Sequence, residues 1–538
     1  MCIRVHSWLN EIMFDVLIRG GTVVDGRDAP ARIADLGVAG EKITALGDLA
    51  TAEAKDILDA RGKVVCPGFI DAHVHGDLVL LSEDAPMVAE AAIRQGITTF
   101  IIGQDGCSYA PASPPTINYF REYCAGFNGN PDMDYSWRSV DEFLARFDRR
   151  NSLNVAYLIP NGTVRMEVVG LENRRATADE LRTMRRMVED GMEQGAIGLS
   201  SGLDYIPSLY ADVEEMTELC REIAPHGGVY VTHMRAYRDK ALEAMDEVFA
   251  VGRNAHCRVH ISHFNSKADM VIPKLDAARQ SGIHLTYDSY PYQAGSTLLA
   301  MICLPEWVQA GGVDATLERL ADKSVRAKLA AWFAEPPTAF ENVQLSSVPI
   351  QRDSRTMQDS QYSNLEGLPL LEAAKQVGCS VGDLICDLLL ACRLNVGCIV
   401  FQKYRTEDDL RRLMQRPEHM AGSDGIYVGG RPHPRGWGAF ARFVGHYVRE
   451  KVWTLEEAVQ HLSANAAQVY NLRDRGIVRE GFIADLVVFD PQKIRDVATY
   501  ENGRQLAEGV EHVLVNGQFA LRDGKFLGAP VGRALRRK

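Results

Sequence analysis

The sequence contains no apolar run long enough to cross a bilayer, which takes about 20 residues. It also has no excess of positive charge: 59 Lys and Arg stand against 71 Asp and Glu, a formal net charge of -12. Such a surface repels phosphate backbones, so neither nucleic acid nor a membrane is an expected partner. No Gly-x-Gly-x-x-Gly follows a strand-like run and opens a helix, so the dinucleotide-binding signature is missing. No two cysteines are spaced Cys-x-x-Cys. The 11 cysteines are odd in number and scattered. That argues against a disulfide framework and for a reducing compartment, with the cytoplasm as the expected location. Low-complexity tracts and short internal repeats are lacking too. The opening "MCIRVHSWLNEI" is charged and has no sustained apolar core, so it does not read as a signal peptide. Residues 1–12 read as a disordered leader or as the product of a misplaced start codon, with Met13 opening the first strand-like run.

What is present is 538 residues with 46% hydrophobic and 24% charged side chains. That composition is ordinary for a globular protein, and the length exceeds what one small core needs. Short strands bounded by turn residues fill the first part, as in "FDVLIRGGTVVDG" and "GKVVCPGF". The same texture returns at the end in "GFIADLVVFD" and "EHVLVNGQFALRDGKFLG", with Asn-Gly and Asp-Gly turns. Isolated strands need partners, so the two ends are expected to pair in one small β domain, residues 13–66 with 475–533.

Between them, apolar strand-like runs alternate with amphipathic helical stretches: "GITTFIIG", "NVAYLIP", "AIGLSSG", "GGVYVTH", "RVHISHF", "GIHLTYDSY" and "HMAGSDG". Repeated strand-helix units predict an α/β fold with parallel strands, and seven or eight in one block favour a (β/α)8 barrel over residues 67–474. The stretch near 297–415 breaks the pattern and reads as an insertion over the barrel mouth.

In a barrel of this kind the chemistry lies at the C-terminal ends of the strands. "FIDAHVHGD" puts His73 and His75 on one side of an extended chain. Asp105, His233, His263 and Asp424 each close another apolar run. A lone strand-end histidine is more often a core residue than a ligand. Four histidines and two aspartates converging from separate strands suit zinc or another divalent metal, as one ion or two. His260 lies further back on its strand and reads as a deeper or supporting residue. A divalent metal makes water acidic and polarises a carbonyl, and Asp424 in "GSDG" is the candidate to carry the proton. The expected reaction is metal-assisted hydrolysis of an amide, ester or ring C–N bond on a small molecule.

"PGFIDAHVHGD", the barrel pattern, "AGSDG" and "GIVREGFIADLVVFDP" together resemble the amidohydrolase superfamily. "GAIGLSSGLDYIPSLYA", "THMR", "HISHF", "YPYQAGST" and "HPRGWGAFARFVGHYVRE" narrow the resemblance to the D-aminoacylase (N-acyl-D-amino-acid deacylase) group. It implies a TIM-like barrel with a small β-sandwich built from both chain ends. It implies zinc at His233, His263 and a ligand after the second strand, with a weaker position at His73, His75 and Asp424 and with Asp424 as general base and acid. No lysine ends the fourth strand, so a carboxylated-lysine bridge is not expected.

Two departures stand out. The group carries a metal-binding cysteine in a "GNCG"-like turn; here "GQDG" puts Asp105 in that place, with Cys107 as the alternative ligand two residues on. Where Asn265 stands, relatives often have a lysine that helps bind the substrate carboxylate; Arg435, Tyr290, Ser296 and Tyr205 remain as substrate contacts. Deacylation of N-acyl-D-amino acids or close derivatives is therefore the first expectation. A cyclic amide, a hydantoin-like ring or a modified peptide is the second, and a non-catalytic protein on the same fold the third.

Overall fold

The computed structural model describes residues 13–27, 29–349, 362 and 364–537, so the expectation for residues 1–12 lies outside the described residues. Eight parallel strands form the centre of the molecule: β1 (Phe69–Asp71), β2 (Ile97–Ile102), β3 (Asn154–Pro160), β4 (Gly198–Gly202), β5 (Val229–His233), β6 (Arg258–Ile261), β7 (Leu285–Ser289) and β8 (His419–Ala421). They pair in chain order, with registers such as Gly202 beside His233 and Tyr287 beside His419. The ring is completed between β8 and β1, where Ala72 N donates to Ala421 O at 3.1 Å and Asp424 N donates to His73 O at 2.7 Å. β2 and β3 are buried along their whole length. Helices cover their outer face, which is why these strands read as continuous apolar runs and not as alternating ones.

The connecting helices carry their own start signals. Ala178–Glu193 opens with a capping box in which Thr177 and Glu180 satisfy each other's backbone N–H groups. It turns Met184, Val188 and Met192 to the barrel.

The two chain ends build one nine-stranded sheet. Val64–Pro67 pairs antiparallel with Leu486–Phe489, which joins the N-terminal strands to the C-terminal ones. The sheet curls back on itself: Ala484 N donates to Glu41 O at 2.8 Å, and Ile43 N to Phe482 O at 2.9 Å. Val16, Leu36, Val38, Ile43, Leu486 and Leu514 form a core of its own inside the curl. A buried polar knot fastens this sheet to the closed end of the barrel. Asp485 pairs with Arg475, accepts from Asn516 N at 2.7 Å, and accepts from Asn154 Nδ2 at the start of β3 at 3.1 Å.

Between β7 and β8 the chain leaves the barrel. Ala294–Leu298, Val343–Ser347 and Gly397–Phe401 make a three-stranded antiparallel sheet, with helices packed around Leu299, Leu329, Leu384 and Leu388. This unit roofs the open end of the barrel. No helix among the described residues is long and apolar enough to cross a membrane.

Candidate metal centre

The C-terminal strand ends bring six side chains to one spot. His73 and His75 follow β1, and Asp105 lies in the turn after β2. His233 ends β5, His263 follows β6, and Asp424 follows β8. Three of them, Asp105 (φ 58°), His263 (φ 34°) and Asp424 (φ 50°), occupy the left-handed region that non-glycine residues avoid. Such strain persists where the surroundings enforce it, and here it aims ligand atoms at a common point.

Five of the six form two overlapping sets with ligand atoms within 4.8 Å of one another: His73, His75 and Asp424; and His73, Asp105 and His263. Asp424 Oδ1 lies 3.3 Å from His75 Nε2 and 3.7 Å from His73 Nε2. Asp105 Oδ1 lies 3.7 Å from His73 Nε2 and 3.9 Å from His263 Nε2. His233 adjoins the second set, its Nδ1 2.9 Å from His263 Nε2.

The electrostatics fit a cation. His73 Nε2 and Asp105 Oδ1, 3.7 Å apart, are buried with no hydrogen-bond partner among the described residues. Buried polar atoms are rarely left so, and two that face each other call for a ligand. Burial opposes charge on His73, yet the carboxylates of Asp105, Asp288 and Asp424 outweigh it and push its pKa up to about 10. The carboxylates around His73 thus favour a positive charge in the pocket. Burial, helped by the His263 ring, takes His233 down to about 3, and burial also lowers His263. Both rings stay neutral near pH 7, the state in which imidazole binds metal.

Residues 56–520 match the amidohydrolase family. The chain belongs to that family. It is 35% identical over 537 residues to D-aminoacylase of Alcaligenes xylosoxydans xylosoxydans, covering 97% of this chain and 98% of that one. It is 34% identical over 513 residues to N-acyl-D-glutamate deacylase of the same organism, covering 94% and 93%. The solved N-acyl-D-glutamate deacylase from Bordetella bronchiseptica, complexed with zinc and a phosphonate that mimics the tetrahedral intermediate, superposes with a TM-score of 0.81 at 31% identity. That match covers 98% of this chain and all of that one.

Within this amidohydrolase the "GQDG" turn directs Asp105, not Cys107, into the ligand group. Cys107 lies against Cys124 instead. Gly103 (φ 80°) and Gly106 (φ 67°) bracket the turn, and a Cβ on Gly103 would collide with Leu158 O on β3. β4 contributes serines in place of a ligand: Ser200 Oγ donates to Gly103 O, and Ser201 Oγ bonds the hydroxyls of Tyr230 and Thr232 at 2.9 and 2.8 Å.

Two carboxylates escaped the sequence reading. Asp288 at the end of β7 lies behind the centre, its Oδ2 3.5 Å from His73 Nδ1 and 2.9 Å from His260 Nε2. Its Oδ1 accepts from His263 N at 2.9 Å. His260 therefore has the supporting place that its position suggested, and its Nδ1 is 2.8 Å from Thr286 Oγ1. Asp204 Oδ2 lies 3.9 Å from His233 Nε2, the ring nitrogen turned away from His263. "TYDSY" signals Asp288 as one more acid at a strand end; Asp204, in a loop, has no such signal.

A cavity of about 440 Å³ opens onto the cluster. Tyr205, Tyr290 and Ser296 line it, as do Phe127, Met301 and Ile302. Tyr205 Oη is 3.1 Å from His233 Nδ1. Arg435 reaches the site from behind the wall, fully buried, with Nη1 2.8 Å from Asp424 Oδ2 and its guanidinium 4.6 Å from the Tyr290 ring centroid. That guanidinium holds the Asp424 carboxyl well below the usual carboxylate range, against the opposing effect of burial.

Proposed function

We propose that this amidohydrolase deacylates N-acyl-D-amino acids or close derivatives with zinc at the strand-end cluster, as one ion or two. The observation that carries the reading is the pair of ligand sets sharing His73, with partnerless buried nitrogen and oxygen atoms at the foot of a cavity. Identity of 35% to a D-aminoacylase along nearly the whole chain supports the substrate class.

His73, His75 and Asp424 are assigned to one metal position, and Asp105, His233 and His263 to the other. A divalent cation held there lowers the pKa of water toward ~7 and polarises the scissile carbonyl. Asp424 starts ionised because Arg435 faces its Oδ2, so its carboxylate can accept the proton of the attacking water. The same carboxylate then returns the proton to the departing amine nitrogen. Tyr205, Tyr290 and Ser296 are assigned to the substrate. Arg435, fully buried and outside the cavity lining, is assigned instead to the Asp424 carboxylate. The buried cysteines Cys66, Cys107, Cys220 and Cys303 are free thiols, which suits the cytoplasm as the proposed location.

The test is a panel of N-acetyl-D- and N-acetyl-L-amino acids beside hydantoin and cyclic imides, given to zinc-loaded protein. Turnover confined to D-acyl substrates is expected. Replacing Asp424 by Asn should cut kcat by about 10²–10⁴-fold while zinc stays bound at the other position. Turnover of the cyclic compounds alone would refute the reading, and an unimpaired D424N enzyme would remove Asp424 from its role.

A further inference from the structure

One charged donor on the cavity wall has no assigned part. Of the Lys and Arg side chains among the described residues, only Arg238 lines the cavity that leads to the metal centre. It follows β5 in the left-handed region at φ 59°. Backbone strain of this kind tends to collect at ligand-binding positions. Its guanidinium lies 5.0 Å from the Tyr404 ring centroid, and Nη1 makes a long 3.4 Å hydrogen bond to Pro337 O on the roof. Of the cavity's carboxylates, Asp105 and Asp424 belong to the ligand sets and Asp204 faces His233. None of these carboxylates pairs with Arg238, whose hydrogen bonds to the Tyr404 hydroxyl and Pro337 O leave other N–H donors of its five available.

The surroundings hold that guanidinium in a defined place. Tyr404 Oη donates to Asn265 O at 2.5 Å, and Asn265 Nδ2 donates to Tyr290 Oη at 2.7 Å. Tyr290 in turn faces Arg435. One wall therefore carries a continuous chain from the buried Arg435 to Arg238, each guanidinium over a tyrosine ring. A planar guanidinium stacked on an aromatic face keeps its in-plane donors available for a carboxylate.

We propose that Arg238 is a specificity-determining residue that binds a carboxylate of the substrate within the cavity, with the Tyr404 ring as its platform. The inference rests on the acyl-amino-acid reading above. The carboxylate is either the α-carboxylate of the substrate amino acid or one at the end of its side chain, because the same fork of donors serves both.

Three substrates and two variants test this on zinc-loaded protein. N-Acetyl-D-leucine carries only the α-carboxylate, N-acetyl-D-leucinamide carries none, and N-acetyl-D-glutamate carries both. Arg238→Met should raise KM for the acids by about tenfold to a hundredfold, the range of one charge-assisted hydrogen bond, with kcat little changed. The amide should be unaffected. Arg238→Lys should recover part of the loss, and circular dichroism with zinc analysis reports whether each variant is folded and loaded. Loss on both acids assigns Arg238 to the α-carboxylate; loss on the glutamate derivative alone assigns it to the side chain. Unchanged kinetics on both acids, or equal loss on acids and amide, would overturn the proposal and leave Arg238 as a loop anchor. A wild-type enzyme inactive on all three would instead overturn the acyl-amino-acid reading, and this inference with it.

Discussion

His73 is the residue on which the two ligand sets depend, so the direction of its ring decides whether both can form. A histidine ligand needs a bare nitrogen toward the metal and its proton on the other side. Asp288 faces Nδ1 and so favours the tautomer that leaves Nε2 for the metal. Replacing Asp288 by Asn should weaken zinc binding about 10–100-fold, read by competition with a chromogenic chelator. Unchanged zinc affinity would show that the ring is fixed by packing alone. The candidate ligands could be picked out in the sequence because each closes an apolar run, and strand alternation puts His73 and His75 on one side. Asp288 also closes such a run, yet nothing local tells a supporting acid from a ligand. That distinction needs the register of β7 against β6, which sets His260 and Asp288 2.9 Å apart. Arg238 leaves no local trace either, since its surroundings come from the roof.

Elements, and above all the turns after them, convert strand ends into a site. The turn after β2 is the sharpest case. Gly103 takes a left-handed conformation in contact with β3, and Asp105 follows in the same region. Gly103→Ala should therefore move the Asp105 carboxylate and lower zinc stoichiometry by up to one ion per chain, measured by elemental analysis. Full zinc content in that variant would mean that Asp105 is not needed to hold the metal. Glycines in "GQDG" flag a turn in the sequence, but the left-handed backbones of Asp105, His263 and Asp424 are invisible there. Asp and His are enriched among the few non-glycine residues with φ above zero, but that bias does not single out a position. This is why the sequence leaves the choice between Asp105 and Cys107 open; in the structure the Asp105 carboxylate faces His73 and the Cys107 thiol lies against Cys124.

At the scale of the molecule, a barrel is fastened below to a sheet from both chain ends and roofed above by the segment between β7 and β8. The pairing of the ends was legible because each end holds strands without partners of their own. The segment near 297–415 read as an insertion over the barrel mouth, but its sheet was not legible, because the strands lie far apart in the chain, at 294–298, 343–347 and 397–401, and show no repeat. The lower joint rests on Asp485, which serves Arg475, Asn516 and Asn154 at once. Asp485→Ala would leave the buried Arg475 with only the more distant Asp474 carboxylate, 4.0 Å away, at a cost of up to about 3 kcal/mol. A lower thermal midpoint is expected, with zinc content and KM unchanged in protein that remains folded. An unchanged midpoint would show that the joint does not hold the two parts together.

The central claim is that distant strand ends grip a metal on which hydrolysis depends. The most direct measurement strips the protein with a chelator, then follows zinc bound and turnover of an N-acetyl-D-amino acid through one titration. No turnover in the stripped protein is predicted, with activity returning in proportion to the first ion bound at the cluster. Full turnover without metal, or stoichiometric zinc binding with no turnover of any acyl-D-amino acid, would contradict the account.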